Sequence, residues 1–178
     1  MLGYHFTGSS LRDGRPIPKI GEWLVHNGPV LPCESGLHAS EHPFDALQYA
    51  PGPMLHRVEL DGYLVPHGDP VDKWCGRRRR IIASIDATAL LREFARWCAL
   101  QVIHLWDAPA VVREYLETGD ESKRSSAWVA ASAAAWSSAW AAWGARDAAC
   151  DAARDAQRTR FAEMVEAAMK EITNGNQG

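Results

Sequence analysis

The hydrophobic period of the chain changes at one place, Asp86, and that change limits the folds open to it. Upstream, Met54, His56, Val58 and Leu60 alternate with Leu55, Arg57 and Glu59. A period of two puts successive side chains on opposite faces of a strand. Downstream, Leu91, Phe94, Cys98, Val102 and Leu105 recur at the spacing of one helical stripe. Strands followed by helices is the order of an α+β fold. The expectation is a small, mostly antiparallel β-rich head, then helices, ending in a long Ala/Trp-rich C-terminal helical segment.

Local signals place the elements. Gly3–Thr7, Glu22–His26, Tyr63–Val65 and Arg80–Ile85 read as further strands, and Val30–Cys33 as a segment that pairs with the second of these. Ser40-Glu41-His42-Pro43 reads as the start of a short helix over 41–49. Ser40 would accept from the first free amides, and Pro43 needs no amide partner there. Asp86 is a good N-cap for a helix over 87–105, Pro109 restarts one over 108–118, and Gly119 stops it. A last helix over 122–172 is expected to bend or break near Gly144. The resulting organisation is a head domain over 1–118, a helical extension over 119–173 and a disordered tail over 174–178.

Composition narrows the class. With 178 residues, 47% hydrophobic and 23% charged, the chain is long enough to bury a core, so global disorder is excluded. A net charge of −3 excludes a protein that is basic all over, though not a local basic patch. Cys33, Cys75, Cys98 and Cys150 are widely spaced, which reads as reduced thiols rather than a disulfide framework. The first ten residues hold no basic segment followed by an apolar one, so no signal peptide is expected. Ser125–Ala145 is uncharged and long enough to span a bilayer, but it is Ala, Ser and Trp with a single Val, and no membrane association is expected.

About half of residues 125–156 are Ala. On a helical wheel Trp128, Trp136, Trp140 and Trp143 fall within about 120°. Burying one indole is worth several kcal/mol. This aromatic face is therefore expected to pack on the head or to serve as a partner interface, with a homodimer through the C-terminal helix as the second arrangement.

Cys33-Glu-Ser-Gly36-Leu-His38-Ala-Ser40, then Pro43-Phe-Asp-Ala-Leu-Gln-Tyr49, then Val58-Glu-Leu-Asp-Gly62 resembles an uncharacterised phage and prophage protein family over about residues 3–90. Such heads are often followed by low-complexity repeats, and the Ala/Trp tail looks like one. The resemblance implies a phage or mobile-element origin and action in the cytoplasm of a bacterial host, and brings no activity with it. The leading expectation is a non-enzymatic binding module that engages a host protein or nucleic-acid complex, for instance to inhibit host defence.

Four sets of residues are candidates for chemistry. Lys73, Trp74, Arg77, Arg78, Arg79 and Arg80 form a run with no acidic residue between Asp72 and Asp86. Such a run can neutralise phosphates while Trp74 stacks on a base, giving a nucleic-acid or anion site. On a strand, however, alternate arginines face opposite ways and some would pair with Asp69, Asp72 or Glu59. Second, Tyr4-His5-Phe6-Thr7, Gly36-Leu-His-Ala-Ser40 and Ala46-Leu-Gln-Tyr49-Ala50 are similar to an ADP-ribosyltransferase-like layout. That resemblance implies NAD or another nucleotide near His5, Thr7, Ser40 and Tyr49, with His5 on a ribose and Ser40 by the nicotinamide. The late-strand Glu of that layout is missing, and Glu59 comes too early, which speaks against transfer and leaves nucleotide binding as the alternative reading. Third, Cys33, His38 and His42 have ligand-type residues in one loose triplet, with His5, His56, His67 or Cys75 as a fourth. Structural zinc sites use two close pairs, so no metal site is expected. Fourth, Cys33–His38 or Cys98–His104 would be a nucleophile and base. No phosphate-binding loop, G-x-S-x-G or H-E-x-x-H is present. The balance favours a binder over an enzyme, with no cofactor under the leading reading.

Overall fold

The computed structural model describes residues 1–138 and 147–175. Strands come first: β1 (Leu2–Thr7), β2 (Trp23–Val25), β3 (Leu37–Ala39), β4 (Met54–Asp61), β5 (Val65–His67), β6 (Lys73–Gly76) and β7 (Arg78–Asp86), with helix α1 (Pro43–Leu47) between β3 and β4. Helices α2 (Thr88–Gln101), α3 (Ala110–Thr118), α4 (Arg124–Ser138) and α5 (Asp147–Gly175) follow. The α+β class is as the change of period implies.

Two antiparallel sheets form, one of order β1-β4-β7-β2 and one of order β3-β6-β5. A two-way backbone bridge joins them: Tyr4 donates to the Ser40 carbonyl at 2.7 Å, and Ser40 donates to that of Tyr4 at 3.0 Å. Gly3 permits this approach, since a Cβ there would lie 2.7 Å from the Ser40 oxygen. Ala39, Val58, Leu60 and Ile81 make a core cluster, with Ile17, Leu37, Leu64 and Trp74 packed on it. On β4 both Leu55 and His56 are buried. Adjacent strand residues face opposite ways, so β4 is covered on both faces there and its alternation is incomplete.

Several expectations need correction. Ser40 is not the cap of α1. Its backbone is committed to Tyr4, and the His42 ring accepts from the Phe44 amide instead, with Pro43 in the first turn as expected. Val30–Cys33 does not pair with β2, because the chain closes on itself between Leu31 and Ser35. The α2 stripe ends early. The helix stops at Gln101, and a tight turn over Ile103–Leu105 buries Ile103 while Val102 and Leu105 stay exposed. Asp86 does accept from the Thr88 amide at 2.9 Å, and Gly119 ends α3 in the left-handed conformation, its N–H bonded to the Tyr115 carbonyl.

The chain forms two compact units. One is Met1–Thr88 together with the chain from Phe161 onward, and the other is Ala89–Arg160. This division differs from a boundary at 118, because Phe161, Met164 and Val165 of α5 are buried and belong with the strands; the Phe161 ring meets that of Phe44 edge-on at 6.3 Å. In the second unit Phe94, Ile103, Ala108, Val112 and Ala127 are buried, and Phe94 stacks on Trp97.

Trp128, on α4, is 75% exposed. Trp136 lies on α4, its side chain outside the described residues, as are Trp140, Trp143 and the tail from 176. Among the described residues no helix is long and apolar enough to cross a membrane.

Candidate functional site

The period of two in β7 sorts its arginines. Arg78 and Arg80 point one way, where Arg78 pairs with Asp61, Arg80 pairs with Glu59 at 2.6 Å, and both guanidinium groups lie over the Trp23 ring. Arg79 points the other way and is 7% exposed. Its Nη1 donates to the His38 carbonyl at 2.6 Å, and no carboxylate among the described residues pairs with it. Burial lowers its pKa to about 10, so it stays charged at neutral pH.

Arg79 lines a cleft of about 880 Å3 in the strand-rich unit. Volumes of that order suit a small-molecule ligand. β1 contributes His5 and Thr7, β3 contributes His38, β6 contributes Lys73, and the loop after β1 adds Arg12 and Arg15. Ser40 and Tyr49, on either side of α1, complete the wall. His5, Thr7, Ser40 and Tyr49, far apart in sequence, therefore line one cavity.

Two histidines of the wall, His5 and His38, are held in the neutral form. Burial holds His5 well below its usual range, with Arg79 next in effect. Burial, then Lys73 and Arg79, lowers His38 to about 4. Behind the wall, His56 shares hydrogen bonds with Thr7 Oγ1 at 2.8 Å and Ser84 Oγ at 2.7 Å, and burial lowers it to about 4. The positive charge of the cleft thus comes from Arg79, Lys73, Arg12 and Arg15. Of these, Arg15 is paired with Asp13.

Tyr49 does not offer a free hydroxyl. It donates to Asp72 at 2.7 Å, a bond that raises its pKa to about 12, and its ring carries the Lys73 ammonium at 3.9 Å. Lys73 is 7% exposed and also donates to Cys33 Sγ at 3.3 Å.

The basic run is therefore not one surface. Lys73 and Arg79 turn into the cleft, Arg78 and Arg80 pair on the opposite face, Arg77 is exposed in the turn between β6 and β7, and Trp74 packs on the core instead of standing free to stack on a base. The triplet Cys33, His38, His42 does not converge either. Cys33 meets His67, His42 caps α1, and His38 Nε2 is buried without a partner. Among the described residues no group of three or more His, Cys, Asp or Glu is placed to hold a metal ion. Nothing in the sequence pointed to Arg12 or Arg15, and His67 stood there only as a possible fourth metal ligand, not as the neighbour of Cys33. For Arg79 the signal was available, since alternation separates it from its neighbours.

These features define a class: an α+β protein whose strand-rich part holds a cationic, ligand-sized cleft lined from both sheets. Residues 1–93, just over half of the chain, match DUF7666, a domain of unknown function, and the chain belongs to that family. No curated protein and no solved structure matches it.

Proposed function

We propose that the strand-rich unit binds a phosphate-bearing nucleotide of the NAD or ADP-ribose kind and does not transfer its sugar. One observation carries the reading. Arg79 is a buried charge without a carboxylate partner, facing a cavity of ligand size. A buried charge is costly unless it is compensated, and an anionic ligand compensates it. Neutral His5 and His38 suit hydrogen bonding to ribose hydroxyls. Glycosyl transfer passes through a cationic sugar, which a carboxylate stabilises. Here β6 and β7 bring Lys73 and Arg79, of the wrong sign, to the cleft; its carboxylates, Glu34 and the Asp13 that pairs with Arg15, come from loops instead of a late strand.

Thermal unfolding with NAD, ADP-ribose, ADP and adenosine tests this. Ligand at about a hundred times its dissociation constant adds about 2.7 kcal/mol, or several degrees in melting temperature. The phosphate-bearing compounds should raise the melting point and adenosine should not. No shift with any of them at millimolar concentration overturns the reading. Arg79→Met should abolish the shift while leaving ligand-free stability within about 2 kcal/mol, because losing one hydrogen bond is offset by removing a buried charge.

Contact with a host macromolecule, by a module of phage origin acting in the host cytoplasm, is the second reading. Its support is the exposed pair Trp128 and Val129 on α4. If that face binds a second copy or a host protein, Trp128→Ser lowers the mass of the complex in sedimentation. A wild-type protein that stays monomeric and partner-free in host lysate removes it.

A further inference from the structure

We infer that Cys33 is a covalent acceptor site at the mouth of the cleft, taking a thiol group from a small anionic disulfide of the glutathione type.

Cys33 is exposed and lines the cleft. It is the one described non-glycine residue with a positive φ, +70°, held there by the closed turn between Leu31 and Ser35. That conformation is strained for a side chain with a Cβ. It presents Sγ to two groups that help a thiol react. The Lys73 ammonium donates to the sulfur at 3.3 Å. His67 Nε2 lies 3.5 Å away, in place to take the proton. Lys73 is itself held from behind by the Tyr49 ring, which Asp72 anchors through the Tyr49 hydroxyl. The sequence pointed to His38 as a partner for Cys33; the fold supplies His67.

The other described thiols are poorly placed. Cys75 is buried, donates to the Ser35 carbonyl at 3.3 Å, and burial pushes its pKa up. Cys98 is half-buried, and burial raises it as well.

Two features select an anionic reagent. Arg79, buried without a carboxylate partner, faces the same cavity, and Arg12 stands exposed on its wall; the carboxylates there are Asp13, paired with Arg15, and Glu34, so the lining stays net positive. Carboxylates of a bound disulfide can meet both. In the exchange, the Cys33 sulfur attacks one sulfur of the disulfide. A new S–S bond forms as the old one breaks, the departing thiolate leaves with the bonding pair, and the proton lost by Cys33 ends on it. Cys33 is oxidised and the disulfide reduced, with no other oxidant needed. The attached group then occupies part of the cavity, so the adduct should compete with any anionic ligand there.

The test uses the reduced full chain without nucleotide, so it stands apart from the nucleotide reading. Glutathione disulfide and the neutral hydroxyethyl disulfide are added in parallel, and adducts at each cysteine are followed by peptide-resolved mass spectrometry. Rates are normalised to free cysteine. Cys33 should react at least about tenfold faster than Cys75 and Cys98, and faster with the anionic disulfide. Lys73→Met should slow Cys33 about tenfold with both reagents. Arg12→Glu, on an exposed residue, should slow only the anionic one and needs no change in the core. If Cys33 reacts no faster than Cys98, or equally with both disulfides, the inference is overturned.

Discussion

Arg79 and His56 are both buried polar side chains, and the chain accommodates them differently. His56 is 1% exposed and satisfied at both ring nitrogens by Thr7 and Ser84, which suits a neutral imidazole. Arg79 cannot lose its charge, and its one protein partner is a carbonyl. The contrast is what the proposed anion site rests on. It also has a consequence for pH. His5, His38 and His56 are all held below the ordinary histidine range when folded, the latter two at about 4. The unfolded chain binds protons from about pH 6.5 downward, while the folded chain resists until about pH 4. The stability that these histidines contribute is therefore fully present above about pH 6.5 and is lost as pH drops toward 4. His56 contributes at most about 3.5 kcal/mol over that range, at about 1.4 kcal/mol per unit. Urea midpoints at pH 7.5, 6 and 5 should decline in order, and His56→Gln should flatten the decline. Equal midpoints at pH 7.5 and 5 would show that these imidazoles protonate freely in the folded protein.

At the scale of elements, β7 decides most. Its alternation divides the arginines, and its register against β4 skips Ile82, where the strand bulges between the Arg57 and Val58 pairings. Elements whose signals are local were legible: the β4 pattern, Asp86 before α2, Pro43 at the start of α1, Gly119 after α3. Elements set by a distant partner were not. β6 has no alternation of its own, and it is a strand because β3 and β5 flank it. Ser40 looked like a helix cap because local chemistry permits one, but Tyr4, 36 positions upstream, took its backbone. α5 shows the same limit. Phe161 and Val165 are fully buried in the strand-rich unit, while the sequence put this segment in a separate extension. Phe161→Ala should therefore destabilise that unit by about 3–5 kcal/mol. Hydrogen exchange at the β4 amides Leu55–Leu60 reads this directly. Unchanged protection there would mean that α5 contributes nothing to the strands.

For the whole molecule, the family match over residues 1–93 and the compact unit do not coincide. The match ends soon after β7, whereas the unit also uses the chain from Phe161 onward. The chain between carries α2, α3 and α4 as a unit of its own. The cleft belongs to the strand-rich unit alone, since each residue lining it lies between Tyr4 and Arg79. By itself the sequence determined the class, because a period of two before Asp86 and of 3.6 after it is a property of neighbours along the chain. It also set out His5, Thr7, Ser40 and Tyr49 as candidates. What only the tertiary structure decided was their convergence on one cavity, the turning of Lys73 and Arg79 into it, and the meeting of Cys33 with Lys73 and His67. These contacts join positions 34 to 74 residues apart, such as Cys33 with His67 and His5 with Arg79. Sheet pairing sets them, and no local signal reports which strands will pair.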